Sequence, residues 1–309
     1  MFDKKEFTHA FLMEMRKQFP EEGYYVKEMT VRRMNRAKVG VSICRKEDTT
    51  RGVIFYAEDY YSDYARGEEL HSIVKQIQET YFQKEVPSVY HEIQKNIASY
   101  SFFEKKIRPV LVNYERNKSV IREMPHERIA DLAIIPCAIF EEQEETLLVK
   151  IREPLLESWG KTGQEIMEQA RKNQKSYSKP ECFSMVEALG MQKDLSSLKE
   201  EPFILRDALN YGAAVIWNKE YMTELHEKYG DFIMVPASIN EWFIMQGLDL
   251  KDLGTFVKGL NGDGERDPEN FLSNRLYTYD GKKIHVFERG KEIYPKQEEC
   301  SIKKTTPKL

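Results

Sequence analysis

The sequence lacks several features that would assign a protein class at once. Its longest apolar stretch, residues 129–140, is interrupted by Asp131 and is shorter than the roughly 18 apolar residues of a membrane-spanning helix. The four cysteines lie far apart and form no Cys-x-x-Cys motif, which is typical of reduced thiols in the cytosol. Charges interrupt every apolar stretch near the N-terminus, so we expect no signal peptide. These absences predict a cytoplasmic protein without membrane contact.

An excess of charge of one sign is also missing. The 47 basic residues nearly balance the 51 acidic ones, and the net charge is -4. A protein that binds nucleic acid mainly through phosphates would carry a basic excess. The sequence therefore makes nucleic acid an unlikely partner and favours a protein partner. It does not indicate an oligomeric state.

Motifs for metals and cofactors are absent as well. The six histidines are dispersed and show no His-x-x-x-His spacing. The Gly-Lys-Thr at 160–162 lacks the earlier glycine of a phosphate-binding loop, because Leu155 occupies that position. Thr162 and Glu165 instead have the spacing of a capping box at a helix start. We therefore predict no metal site and no cofactor.

What the sequence does contain is alternating helix and strand periodicity. Apolar residues at helical spacing predict helices over 3–19 and 68–82, and period-2 runs predict strands between them. The fold class indicated is α+β, with mixed, mainly antiparallel sheets and packed helices. The expected domains are an N-terminal α-β-β-β-α unit (1–85), a helical connector (86–122), a C-terminal α+β domain (123–290) and a polar, disordered tail (291–309).

Further elements are predicted within the C-terminal domain. Residues 128–140 and 146–151 are expected to form an antiparallel pair across an acidic turn. The polar residues 175–203 are expected to form a loop with one short helix near Met185. The other predicted elements are helices at 153–158, 164–174, 219–229 and 249–259, strands at 203–206, 213–217, 232–235 and 242–245, and a final hairpin of 275–280 and 283–288.

Several segments carry a resemblance to a known family. They include NYERNK (113–118), PHERIADLAII (125–135), FIMVPASINEWFIM (232–245) and FLSNRLYTYD (271–280). In these segments, and in YAEDYYSDYARGEEL (56–70), the chain resembles the bacterial family named domain of unknown function 5688. The resemblance covers nearly the whole chain and implies a bacterial origin, but it brings no activity, ligand or catalytic residue.

The first candidate site is the charged cluster around residue 126. His126 and Glu127 could form an acid–base pair, Arg128 could bind an anion, and Asp131 lies among apolar residues. Such a carboxylate needs a partner, for which Arg116 and Arg128 are the candidates. The plainer interpretation is a charged start of a strand with no catalytic role.

The second candidate is the polar turn after the strand at 232–235. Ser238, Asn240 and Glu241 could lie at the mouth of a sheet, where functional loops are common. Ser238 has no nucleophile motif around it. A serine that stabilises a tight turn is the alternative interpretation.

A third candidate is an acidic, tyrosine-rich segment containing Tyr60, Tyr61 and Tyr64. Such a surface suits a protein partner, whereas the alternative is a helical turn that buries its rings. The preferred hypothesis is a non-catalytic accessory or mobile-element protein that acts through protein contacts. The alternative is an enzyme, a hydrolase or nuclease-like protein, whose site combines distant residues such as His126 and Glu241.

Overall fold

A computed structural model describes residues 2–83, 88–142, 145–188, 190, 202–247, 268–288 and 291–293. The chain forms two compact units, Met1–Tyr90 (unit 1) and His91–Leu309 (unit 2). The division falls within helix α4 (Ser88–Lys95). This division does not test the predicted domain limits at residues 85, 122 and 290. None of the described helices has both the length and the apolar character needed to cross a membrane.

Unit 1 combines a three-stranded antiparallel meander with helices. Asp3 starts the first helix through a capping box with Glu6, because each side chain accepts from the other residue's backbone N–H. Apolar residues from helices and strands form one core. The predicted order of helix, three strands and helix is confirmed, with one helix added after the strands. The elements are α1 (Lys4–Gln18), β1 (Tyr24–Arg32), β2 (Ala37–Arg45), β3 (Asp48–Tyr56), α2 (Ala57–Ala65) and α3 (Leu70–Gln83).

Unit 2 contains two antiparallel sheets. Its first half comprises α5 (Tyr100–Phe103), β4 (Ile107–Asn113), α6 (Tyr114–Ile121), β5 (Glu127–Ile129), β6 (Leu132–Glu142), β7 (Glu145–Lys150), α7 (Glu153–Trp159) and α8 (Gly163–Tyr177). Its second half comprises β8 (Pro180–Ser184), α9 (Met185–Ala188), β9 (Phe203–Asp207), α10 (Lys219–Tyr229), β10 (Phe232–Pro236), β11 (Trp242–Met245), β12 (Leu276–Tyr279), β13 (Ile284–Glu288) and β14 (Lys291–Ile293). Short 3₁₀ helices occur at Glu104–Lys106, Gly212–Trp217 and Pro268–Asn270.

The strand order explains where the two sheets have edges. One sheet has the order β14-β13-β12-β10-β11-β9-β8. The other has the order β4-β6-β5, and β7 also pairs with β6. All pairings between described strands are antiparallel. The predicted α+β class with mainly antiparallel sheets is confirmed.

The predicted helical connector is wrong over Ile107–Asn113, which forms strand β4. Five consecutive residues of this strand, 109–113, are buried, so no polar face remains to give a helical pattern. Pro109 fits because β4 lies at a sheet edge, where a missing backbone donor is tolerated. The apolar run Val110-Leu111-Val112 is better explained as a strand buried on both faces.

Two further predictions need correction. Gly212–Trp217 is a 3₁₀ helix and not a strand. All six residues are buried, and an apolar run of this kind does not distinguish a helix from a strand. Pro180–Ser184 is an edge strand inside the predicted loop. The short helix near Met185 is confirmed as α9, whereas the predicted helix at 249–259 and the tail from 294 lie outside the described residues.

Buried polar side chains connect the elements of unit 2. The Asn173 amide of α8 donates to the carbonyls of Glu104 and Ile107 at 2.7 and 2.8 Å. The Trp242 indole N–H donates to the Ala213 carbonyl at 2.8 Å. These bonds hold α8 against the start of β4 and the 3₁₀ helix against β11.

Candidate functional site

The predicted cluster at 126–131 is a tight hairpin. We expected one strand from 128 to 140, but β5 ends at Ile129 and β6 begins at Leu132. Ile129 pairs with Leu132, so Ala130 and Asp131 form a two-residue turn. Ala130 has φ 56°, the left-handed region that the first residue of such a turn requires. The prediction missed the turn because positive φ in a two-residue hairpin turn normally indicates glycine, asparagine or aspartate, and alanine gives no such signal.

Asp131 lies at the centre of a buried hydrogen-bond network. Its carboxylate accepts from the Ser273 hydroxyl and the Tyr277 hydroxyl, each at 2.6 Å, and lies 3.4 Å from Arg275. Burial and the adjacent carboxylate raise the pKa of Tyr277, so the phenol stays protonated and donates a hydrogen bond to Asp131. The expected need for a partner is correct, but the partners come from the segment before and within β12.

The two arginines proposed as partners of Asp131 lie on aromatic rings instead. The Arg116 guanidinium is 3.6 Å from the centre of the Phe271 ring, and that of Arg128 is 4.0 Å from the centre of the Tyr114 ring. Arg128 also donates to the Ala130 carbonyl at 3.1 Å. The expected ion pairs of Arg116 and Arg128 with Asp131 are therefore wrong.

Glu127 is held by two donors from other elements. Arg171 of α8 forms an ion pair with one carboxylate oxygen, and the Trp217 indole N–H donates to the other at 2.9 Å. The Arg171 guanidinium also lies 4.2 Å from the centre of the Trp217 ring. Glu127 thus joins β5 to α8 and to the 3₁₀ helix, a structural role that occupies both its oxygens.

His126 precedes this strand and contacts its own segment. One ring nitrogen, Nδ1, is 3.0 Å from the Met124 carbonyl, and the ring packs against Tyr114 at 5.9 Å between centres. Glu127 and Asp131, the other members of the predicted cluster, have separate sets of partners. The hypothesis of a shared acid–base site stays a prediction.

Ser238, Asn240 and Glu241 form a tight turn between β10 and β11. The backbone N–H of Ser238 donates to the Glu241 carbonyl at 3.1 Å, and the Ser238 hydroxyl accepts from the Asn240 N–H at 3.1 Å. The Asn240 side chain accepts from the Tyr211 N–H at 3.1 Å. These bonds support the turn-stabilising interpretation, whereas a binding role for these residues stays a prediction.

Tyr60, Tyr61 and Tyr64 are partly buried rings of the unit 1 core. Tyr60 stacks on Phe11 of α1 with ring centres 5.6 Å apart. The hydroxyls of Tyr61 and Tyr64 hydrogen-bond the carbonyl and N–H of Phe2 at 3.2 and 3.1 Å. Packing on α1 accounts for all three rings, and a partner surface at their exposed edges stays a prediction.

The acidic residues beside these tyrosines pair with nearby cations. Lys38 lies 2.9 Å from Asp59 and 3.4 Å from Glu58, and Arg36 lies 3.6 Å from Glu58. Arg36 and Lys38 thus neutralise the acidic residues of helix α2 in part.

The outer face of the unit 1 sheet carries apolar side chains that sequence reasoning did not single out. The strand register places Tyr25, Met29 and Val31 of β1 on the same face as Ile54 and Tyr56 of β3. The opposite face contributes Val41 and Ile43 to the core. On the outer face, Tyr25 is 54% exposed and Met29 is 39% exposed. We call the five residues Tyr25, Met29, Val31, Ile54 and Tyr56 the outer face.

Cations lie around the outer face. Lys27 lies between Tyr25 and Met29 on the same strand face. The Lys46 ammonium is 5.3 Å from the centre of the Tyr25 ring, and the Arg33 guanidinium is 5.3 Å from that of Tyr56. Both distances are within the range of attraction between a cation and an aromatic ring. The surface therefore mixes apolar side chains with cations, and Ser42 and Lys38 of the central strand β2 lie on the same face.

A small cavity of about 190 Å³, lined by both polar and apolar residues, lies in unit 2, between the edge strand β4, the end of α8 and the loop after β9. None of the predicted catalytic residues is among the described residues that line it. Asp207 shapes the loop by accepting from the Ser178 hydroxyl and from the N–H groups of Lys179 and Leu209. No sequence motif indicated the cavity, because its lining residues are up to about a hundred positions apart.

The loop that lines the cavity requires a glycine. A Cβ atom on Gly212 would lie 2.4 Å from the Asp207 carbonyl oxygen and 2.6 Å from that of Asn240. The preceding residue, Tyr211, has φ 65°. Glycine is therefore needed where the loop enters the 3₁₀ helix.

The described residues contain no group of three or more His, Cys, Asp or Glu side chains placed to hold a metal ion.

Comparison with known proteins identifies a family. No curated protein and no solved structure matches the chain. One family model, described as a family of unknown function (DUF5688), matches residues 4–281 of the 309. The match spans both units and includes the segments around Asp131. The chain therefore belongs to the family of unknown function DUF5688.

Proposed function

We propose that this is a non-catalytic cytoplasmic bacterial protein, an accessory or mobile-element factor, that acts by binding another protein through the outer face of unit 1. One observation carries the proposal. The outer face exposes a tyrosine and a methionine on a flat strand surface, where a monomeric protein would normally carry polar residues.

The shape and composition of the outer face suit a protein partner. On β2, Gly40 lies between Met29 and Tyr56, and the Ile54 side chain covers it, because a Cβ at Gly40 would lie 2.5 Å from Ile54 Cγ2. Tyrosine and methionine are enriched at protein interfaces because they offer large contact areas. A partner that packs on the exposed Tyr25 and Met29 would bury apolar area of β1.

The cations on and beside the outer face indicate the charge of the partner. Lys27, Arg33 and Lys46 lie at or beside the outer face, although the chain as a whole has a net charge of -4. Opposite charges at the rim increase the association rate and suppress wrong partners. The partner proposed is a protein with an apolar surface bordered by carboxylates.

Nucleic acid suits the outer face less well. Single strands bind through bases stacked on several aromatic rings and through a track of cations. Three of the five outer-face residues, Met29, Val31 and Ile54, are aliphatic and offer no stacking surface. These three residues can contribute only by burying apolar area, and a protein partner offers more apolar area than a nucleic acid does.

The alternative proposal is an enzyme with a site assembled from His126, Glu127, Asp131 and Glu241. The contacts of two of these residues weigh against it. Both oxygens of Glu127 accept hydrogen bonds, and Asp131 accepts from two hydroxyls. Donors from other parts of unit 2 thus hold each carboxylate in place, which is the pattern of a structural side chain. No specific observation favours this alternative.

Crosslinking in living cells identifies the partner. A photoreactive phenylalanine analogue placed at Tyr25 should crosslink to one protein, and the same analogue at Met13 should not. Met13 is the control because it is 42% exposed on α1 of the same unit. Crosslinks from Tyr25 to nucleic acid, or equal crosslinking from both positions, would contradict the proposal.

Affinity measurement with the purified partner then tests the surface. Met29→Lys should weaken binding at least about tenfold, since a charge would be desolvated at the centre of the interface. Met13→Lys makes the same change at a position of similar exposure, 42% against 39%, and should leave affinity unchanged. Equal effects of the two variants would refute a role for the outer face.

A further inference from the structure

The cavity of unit 2 has the groups of a ligand site that the proposed function does not use. Lys106 and Arg108 line it from β4 and the 3₁₀ helix before it, Gln174 from α8, and Asn210 from the loop after β9. Glu141 of β6 also lines the cavity, with one carboxylate oxygen 3.5 Å from the Asn210 amide nitrogen. Two cations, Lys106 and Arg108, and two carboxylates, Glu141 and Asp207, therefore line one small volume.

Arg108 has donors that the protein leaves available. Its Nη1 donates to the carbonyls of Lys105 and Ile107 at 2.7 and 3.1 Å, and its guanidinium lies 4.7 Å from the centre of the Tyr177 ring. Within the described part of the chain, no carboxylate lies at ion-pair distance from Arg108, and no acceptor takes a hydrogen bond from Nε or Nη2. Arg108 is half-buried; burial lowers its pKa, and the nearby Tyr177, Asp207 and Glu141 act in the opposite direction.

Gln174 supplies the complementary acceptor. This residue is only 5% exposed, and its amide nitrogen donates to the Ala214 carbonyl at 2.9 Å. Among the described residues, none donates a hydrogen bond to its side-chain oxygen. An amide oxygen that the protein does not use, and that is not sealed from the cavity, can accept from a ligand there.

We propose that this cavity binds a small organic acid whose carboxylate is accompanied by an amino or hydroxyl group on the neighbouring carbon. The carboxylate accepts from Nε and Nη2 of Arg108, the pairing that a guanidinium makes best. The amino or hydroxyl group donates to the Gln174 oxygen. Lys106 at the rim attracts the anion, and Glu141 favours an ammonium over a hydroxyl.

The volume limits the size of the ligand. A cavity of about 190 Å³ holds the equivalent of about six water molecules, at about 30 Å³ each. It is smaller than the 300 Å³ or more of sites for drug-sized ligands. The cavity thus suits a free amino or hydroxy acid of a few carbon atoms, or the last residue of a peptide.

Calorimetric titration of the full chain tests the ligand class with four probes. L-alanine should bind at least about tenfold more tightly than acetate, because its ammonium adds one charge-assisted hydrogen bond. Glycyl-L-alanine distinguishes the sources, since tighter binding than L-alanine would indicate a peptide C-terminus as the natural ligand. Inorganic phosphate should bind more weakly than L-alanine. Absence of saturable binding by L-alanine and by glycyl-L-alanine, or a preference for phosphate, would overturn the proposal.

Variants locate the binding. Arg108→Gln should weaken binding of L-alanine at least about tenfold, through loss of hydrogen bonds to a charged group. Lys106→Gln should weaken it about threefold, and Lys105→Gln should not change it. The two lysines are adjacent and both exposed, but only Lys106 is among the residues that line the cavity. Comparing them therefore tests the site even if Arg108→Gln does not fold. Equal effects of the two lysine variants would contradict the site.

Discussion

Replacing Asp131 with alanine should destabilise unit 2 by about 3–4 kcal/mol. The carboxylate accepts two hydrogen bonds of 2.6 Å from Ser273 and Tyr277, and both donors belong to residues that are at most 1% exposed. A hydrogen bond to a charged group contributes about 1.5–3 kcal/mol. Water can reach part of the site, because the Asp131 side chain is 14% exposed, so we take the lower part of this range for each bond.

Tyr277→Phe should be milder than the loss of Asp131. It removes one hydroxyl and leaves the carboxylate with Ser273 and Arg275, at a cost of about 1–2 kcal/mol. In the double variant the hydroxyl and its acceptor are both absent, so the two effects should not add. The cost of the double variant should be about 1–1.5 kcal/mol smaller than the sum of the two single costs, as expected for residues in direct contact.

Urea unfolding followed by tryptophan fluorescence measures these effects in unit 2 alone. The three tryptophans, Trp159, Trp217 and Trp242, all lie in unit 2, so unit 1 does not contribute to the signal. Asp231→Ala is the control, because its side chain is 85% exposed and its change should stay within about 0.5 kcal/mol. A cost below about 1 kcal/mol for Asp131→Ala would refute the structural role and restore Asp131 as a candidate for chemistry.

Three other perturbations should have defined results. Asn113→Ala should cost about 2–3 kcal/mol in the same assay, because the Asn113 side chain caps α6 and its buried amide donates to the Leu272 carbonyl at 2.7 Å. Gly212→Ala should cost about 1–3 kcal/mol, since its Cβ would clash with the Asp207 backbone, and should weaken binding of L-alanine in the cavity. The hydrogen bonds of the α8 capping box lower the pKa of Glu165 from 4.5 to about 2, so its stabilising contribution is complete above pH 4.5 and is lost as pH falls towards 2. Glu165→Gln should therefore reduce the difference in unfolding free energy between pH 5 and pH 2.5.

Much of the secondary structure could be predicted because periodicity and end signals agree. Helix α10 runs over Lys219–Tyr229, as predicted, since Asn218 caps its start and Gly230 follows its end. Prediction failed where burial is complete. In Ile107–Asn113 and Gly212–Trp217 almost every side chain is buried, so the sequence shows no polar face that would distinguish strand from helix.

The candidate sites were less predictable, because their partners are distant in sequence. A lone carboxylate among apolar residues correctly indicated that Asp131 needs a partner. Its partners Ser273 and Tyr277 are 142 and 146 positions away, and no local pattern points to them. The two nearby arginines were the natural candidates by distance along the chain, but the hairpin directs Arg128 onto an aromatic ring.

The central claim is that the outer face of unit 1 binds a protein. The most direct test compares the affinities of Met29→Lys and Met13→Lys for the protein that crosslinks at Tyr25. The account predicts a loss of at least about tenfold for Met29→Lys and no change for Met13→Lys. Unchanged affinity for Met29→Lys, or an equal loss for both variants, would contradict it.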